Sequence, residues 1–191
     1  MVGIKLDLLI EEVNKYQNLP YFCNYGVHKN TSTNNTLVGK GSAQEIALTT
    51  IEIANQENVK LLDLTPVQIY NFQKKHHIGI DCSGLTCQLL NFYFSLSLDP
   101  RKTSADMLTS PPLAQPIDMT QIQTGDLIRQ KNGHHVLFIV SRINDTINYI
   151  DSSRLGGGVK TNSFSLLKPN IKIDGVFRLT SLQSIPDISA D

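Results

Sequence analysis

Apolar residues near the start of the chain recur at three- and four-residue spacing. Leu6, Leu9, Ile10, Val13 and Tyr16 share one face, which predicts a helix over Leu6–Tyr16 that Pro20 terminates. Ser42 with Glu45 three residues on is a capping box, opening a second helix through about Asn55 with Ile46, Leu48, Ile51 and Ala54 as its buried stripe. A second box, Thr65 with Gln68 and with Pro66 at the first helical position, begins a third helix through Ile69 and Phe72 towards His76. The fourth starts near Asp81, passes Cys87, Leu89, Leu90 and Phe92, and ends before Asp99 and Pro100. Tyr25 to Gly41, rich in Asn, Thr, Ser and Gly, reads as a long polar loop or flexible insertion that would act, if at all, as a lid.

After a linker holding Pro111, Pro112 and Pro116 the period changes. Short β-branched runs predict strands at Asp126–Gln130, His135–Arg142, Thr146–Ser152, Val159–Phe164 and Ile173–Leu179, the second and third joined by a hairpin at Asn144-Asp145. Helices first and an antiparallel sheet afterwards define an α+β fold. The tail after Thr180 is expected to fray.

Length fits one domain spanning residues 1–191. Seventeen basic and seventeen acidic residues cancel, so nothing draws the chain towards nucleic acid or an anionic membrane. No apolar run is long enough to span a bilayer, and Asp7, Glu11 and Glu12 interrupt the first apolar pattern, which therefore reads as an amphipathic helix and not a signal peptide. Three cysteines, Cys23, Cys82 and Cys87, are too few for a secreted disulfide framework, so a cytoplasmic location is expected.

Chemistry concentrates in Gly79-Ile80-Asp81-Cys82-Ser83-Gly84-Leu85, which places Cys82 in the first turn of a helix directly after a capping aspartate. There a thiolate is favoured by unpaired backbone N–H groups and the positive end of the helix dipole. Ser83 and Gly84 are small enough to admit substrate, and the same N–H groups suit an oxyanion. The base comes from Gly133-His134-His135-Val136, at the start of an apolar strand. Strand alternation puts the two histidines on opposite faces, so only one meets Cys82; His135 is preferred and His134 competes. Asp151, near the end of the following strand, is chosen to orient the imidazole. A two-residue turn between Asn144 and Asp145 would set Asp151 opposite Phe138, on the face of His134, whereas a three-residue loop centred on Asn144 sets it opposite Leu137, on the face of His135.

The remaining candidates have plainer readings. Cys87, turned about 140° from Cys82 around the helix, belongs to the core, and Cys23 is a packed thiol. His76 and His77 sit at a helix C-terminus, solvated; with Asp81 and the second His pair they allow a zinc site that no HExxH or paired-Cys spacing supports, so no metal or other cofactor is expected. Gly39-Lys40-Gly41-Ser42 fails the phosphate-loop order and reads as a flexible helix entry. Gly156-Gly157-Gly158 is a loose turn or a mobile rim of a cleft, and Asp126 a turn and strand-start residue.

Asp81-Cys82-Ser83-Gly84-Leu85 opening a helix, Gly125-Asp126-Leu127 entering a strand, His135-Val136, a Tyr149-Ile150-Asp151-Ser152 strand end and a closing Gly175-Val176-Phe177-Arg178 together resemble the NlpC-type branch of the papain-like cysteine peptidases. The resemblance covers Tyr21 to about Ser152 and implies a papain-like α+β fold, with the nucleophile's helix on an antiparallel sheet. It implies a thiol hydrolase of amide bonds in bacterial cell-wall peptides, with a peptide or peptidoglycan fragment as partner. By the same resemblance Cys82 is nucleophile, His135 base and Asp151 orienting group, and Tyr21 after Pro20 lies beside the oxyanion site with Ser83; Tyr25-Gly26 competes with Tyr21. The helical stretch around 30–77 reads as an insertion that reshapes the cleft. The alternative, from another class, is a catalytically silent binding module whose cleft the insertion covers.

Overall fold

The computed structural model describes residues 2–24 and 34–182. Helix α1 (Val2–Tyr16) buries Leu9, Val13 and Tyr16. Its expected Ile10 is 42% exposed, because the face in contact follows Leu9, Val13 and Tyr16, with Leu6 partly buried beside them. Helices α2 (Ala43–Gln56) and α3 (Pro66–Lys75) each start in the predicted capping box, Ser42 with Glu45 and Thr65 with Gln68. In α2 the predicted stripe is corrected: Leu48 is 58% exposed and Ile51 48%, while Ile46, Thr49, Thr50 and Ala54 are buried. Hydrogen bonding turns the helix, since Thr36 Oγ1 donates to Thr49 Oγ1 at 3.2 Å and Gln73 Nε2 donates to Thr50 Oγ1 at 3.1 Å. Helix α4 (Cys82–Phe94) is capped by Asp81, and a short α5 (Ala105–Leu108) follows.

Six antiparallel strands form one open sheet in the order β1-β6-β2-β3-β4-β5: β1 (Ala114–Ile117), β2 (Leu127–Gln130), β3 (His135–Ile143), β4 (Thr146–Ser153), β5 (Gly158–Ser165) and β6 (Gly175–Leu179). The predicted linker thus contains a strand, β1, and its Pro116 is tolerated because β1 lies at the sheet's edge. Leu85, Leu89 and Leu90 of α4 pack with Val136, Phe138 and Ile150 and with α1, so the helical layer sits on one face. Leu137, Ile139, Tyr149 and Phe164 form a smaller cluster on the other, under Ile117, Met119, Leu166, Ile171 and Ile173.

The β3–β4 hairpin decides where Asp151 points. Asn144, at φ 54°, and Asp145 make a two-residue turn, which alone would carry Asp151 to Phe138. Pairing runs from Ile143 opposite Thr146 to Ser141 opposite Asn148, then shifts so that Ile139 faces Tyr149 and Phe138 faces Ile150. Val140 is the extra residue of a β-bulge, and the continued register sets Asp151 opposite Leu137, on the face of His135. A short turn followed by a bulge does the work of the longer loop.

The polar stretch predicted to be a loop is packed from Asn34 onward. Thr36–Val38 form a 3-10 turn with Thr36 and Val38 buried, and Asn34 Oδ1 accepts from Thr36 N at 2.8 Å. Thr180–Leu182 likewise form a turn with Leu182 buried; the rest of the tail, like Tyr25-Gly26, lies outside the described residues. Among the described residues no helix is long and apolar enough to cross a membrane.

Candidate active site

Cys82 follows a strand-like turn clamped from three sides. Ile80 N donates to Pro20 O at 3.1 Å, Asp81 N donates to Gly39 O at 2.9 Å, and Ser152 Oγ donates to Ile80 O at 2.7 Å. Lys40 and Tyr21 form single bridges with Ile80. Asp81 Oδ1 then accepts from Gly84 N at 2.7 Å and Leu85 N donates to Asp81 O. These bonds leave the N–H groups of Cys82 and Ser83 as the first-turn donors that the helix itself does not use. A side chain at position 84 would set its Cβ 2.4 Å from Gly39 O, so the close approach of these segments requires glycine.

His135 opens β3 as Cys82 opens α4, so the two elements present the pair at their ends. His135 is 7% exposed and Cys82 8%. Asp151 Oδ2 lies 3.0 Å from His135 Nε2, which leaves Nδ1 as the ring nitrogen not engaged by Asp151. Burial works to lower the histidine's pKa, but the hydrogen bonds and charges of Asp151 and Cys82 outweigh it and push it up to about 9. At neutral pH the ring therefore holds both protons, the partner a thiolate needs. His134, exposed, lies at the cleft rim and does not take this place.

A cleft of about 630 Å³ opens beside Cys82, lined among others by Tyr21, Cys23, Lys40, Ser83, Lys102 and Arg154. Burial, followed by the charges of Cys23, Cys82 and Asp81, holds the Tyr21 phenol well above its ordinary value, so it stays protonated. Arg154 stacks over its ring at 5.9 Å. Ser83 Oγ is turned inward, donating to Asp81 Oδ1 at 3.1 Å and accepting from Lys40 Nζ at 2.6 Å. Lys40 also pairs with Asp81 Oδ1 at 2.8 Å. This lysine was not among the residues singled out for chemistry; only its place between two glycines before a helix marked it.

The remaining candidates lie elsewhere. Cys87 is fully buried and burial pushes its thiol up to about 12. Asp126 is buried against Arg178, whose Nε lies 2.8 Å away, and ties β2 to β6. His76 caps α3 beside Phe72, and His77 stacks on Phe22. Among the described residues no three His, Cys, Asp or Glu side chains group to hold a metal ion. Compared with protein-family models, with curated proteins and with solved structures, the chain has no match.

Proposed function

We propose that this chain is a papain-like cysteine hydrolase of the NlpC type, cleaving amide bonds in peptidoglycan peptides. The observation that carries the reading is the gathering of Cys82, His135 and Asp151 at the N-terminus of α4, with Asp151 Oδ2 3.0 Å from His135 Nε2 and the Cys82 sulfur near enough to the imidazole to help raise its pKa. In this reading Cys82 Sγ, as thiolate, attacks the amide carbonyl, and the developing oxyanion is received by first-turn N–H groups of α4, with the Tyr21 phenol beside it. His135 passes its proton to the leaving amine, giving a thioester. It then takes a proton from water, which attacks the thioester and returns the free thiol, while Asp151 holds the ring in place throughout. Acyl transfer follows from the thiol chemistry; the amide bond and the cell-wall substrate follow from the resemblance of the DCSGL, HV and YIDS elements.

The open cleft beside Cys82 favours this reading over a silent module sealed by the insertion. The test is a panel of soluble stem peptides and muropeptide fragments, followed by mass spectrometry of both products and protein. The reading predicts new amine and carboxylate ends, and a transient acyl adduct on Cys82 that Cys82→Ala cannot form. Wild-type protein that cleaves nothing and binds the panel as tightly as Cys82→Ala would instead identify a binding module.

A further inference from the structure

The Gly39-Lys40-Gly41-Ser42 segment, which the catalytic reading does not use, is latched onto the start of α4. Gly39 O accepts from Asp81 N at 2.9 Å, Gln88 Nε2 donates to Lys40 O at 2.9 Å, and the Lys40 ammonium reaches Asp81 Oδ1 at 2.8 Å and Ser83 Oγ at 2.6 Å. Lys40 and Asp81 are 15% and 6% exposed in their side chains. The helix cap alone would be served as well by asparagine. Aspartate instead brings a buried negative charge to the residue preceding Cys82, where it opposes a second negative charge on sulfur.

Resting on the reading of Cys82 as nucleophile, we propose that Lys40 is a positioning residue of the thiol site: pinned to Asp81 and Ser83, it cancels the buried carboxylate beside Cys82 and lets the helix N-terminus and His135 set the thiol's charge. The neighbouring thiols feel both members of the pair. Burial and then the Asp81 charge raise Cys23, with Lys40 opposing them; at Cys87, after burial, Lys40 lowers and Asp81 raises. The other titratable groups around Cys82 come from several elements. His135, backed by Asp151, comes from β3 and β4. Tyr21, Cys23, Arg101, Lys102, Asp106, His134 and Arg154 line the cleft. Asp106 is paired with Arg129 at 2.7 Å and Lys102 with Asp99 at 3.5 Å. Among the described residues the ion pair to Asp81 is made by Lys40, whose two short contacts are to Asp81 and Ser83.

The test is a charge cycle read by iodoacetamide alkylation of Cys82 across pH in wild type, Lys40→Met, Asp81→Asn and the double variant. Lys40→Met leaves Asp81 unopposed, and below the plateau it slows alkylation by on the order of tenfold, moving the profile to higher pH. Asp81→Asn keeps the cap, leaves the ammonium unopposed and moves the profile to lower pH. The double variant, neutral at both positions, returns towards wild type. Should Lys40→Met fail to fold, the separation between Asp81→Asn and the double variant carries the same information. Profiles that coincide, or that all move in one direction, would overturn the proposal and reduce the pair to a structural clip. Loss of the dyad reading is seen separately, as alkylation of wild-type Cys82 that does not depend on His135.

Discussion

His135 holds its proton because, against burial, Asp151 and the Cys82 sulfur both act to raise its pKa. Replacing Asp151 with alanine removes the first cause that raises its pKa, so the alkaline limb of any hydrolytic pH profile, set near 9 in the wild type, moves down towards the ordinary value, and turnover falls by about tenfold or more. On the proposed mechanism His135→Ala removes the proton donor to the leaving group, and turnover should fall by roughly 10²–10⁴-fold. Stability follows the same group. Its pKa is raised on folding from 6.5 to about 9, so its contribution is complete below the lower value and is lost as pH rises through the upper one. Urea denaturation should show the stability gap between wild type and His135→Ala narrowing over that interval. Cys82 and His135 drew notice in the sequence because each opens an element; that Asp151 meets His135 was not legible, since it depends on the β3–β4 register. Nor was Lys40, because its partner Asp81 lies 41 positions away and only the fold brings them together.

At the scale of elements, the site depends on clamps between segments distant in sequence. Ser152→Ala removes the bond from β4 to Ile80 O and should cost about 1 kcal/mol, read as a shift in the urea midpoint without a change in slope. Gly84→Ala forces a Cβ against Gly39 O; it should cost roughly 1–3 kcal/mol and slow Cys82 alkylation, since the start of α4 must move away from its clamp. Helix starts were legible from capping boxes, whose partners are local. The bulge at Val140 was not. The sequence admits either of two registers, and the choice falls to packing of Leu137 and Ile139 on one face and Val136, Phe138 and Val140 on the other. Strand β1 was obscured by its Pro116, which argues against a central strand and is silent about an edge.

For the whole molecule, hydrophobic patterning is enough to predict helices followed by an antiparallel sheet, because the period of apolar residues changes from helical to alternating along the chain. Strand order is not written there: β6 inserts between β1 and β2 by long-range pairing. The layers meet at Phe138 against Leu85, Leu89 and Leu90, so Phe138→Ala should cost about 3–5 kcal/mol and loosen Cys82 and His135 together, seen as parallel losses of thermal stability and alkylation selectivity. The central claim is that this packing delivers one thiol, of three, to a protonated imidazole. It is tested most directly by iodoacetamide alkylation rates of Cys23, Cys82 and Cys87 across pH, resolved by peptide mass spectrometry in folded wild type and His135→Ala. The account predicts that Cys82 alone reacts rapidly at neutral pH and loses that advantage in His135→Ala. Equal behaviour of the three thiols, or a Cys82 indifferent to His135, would contradict it.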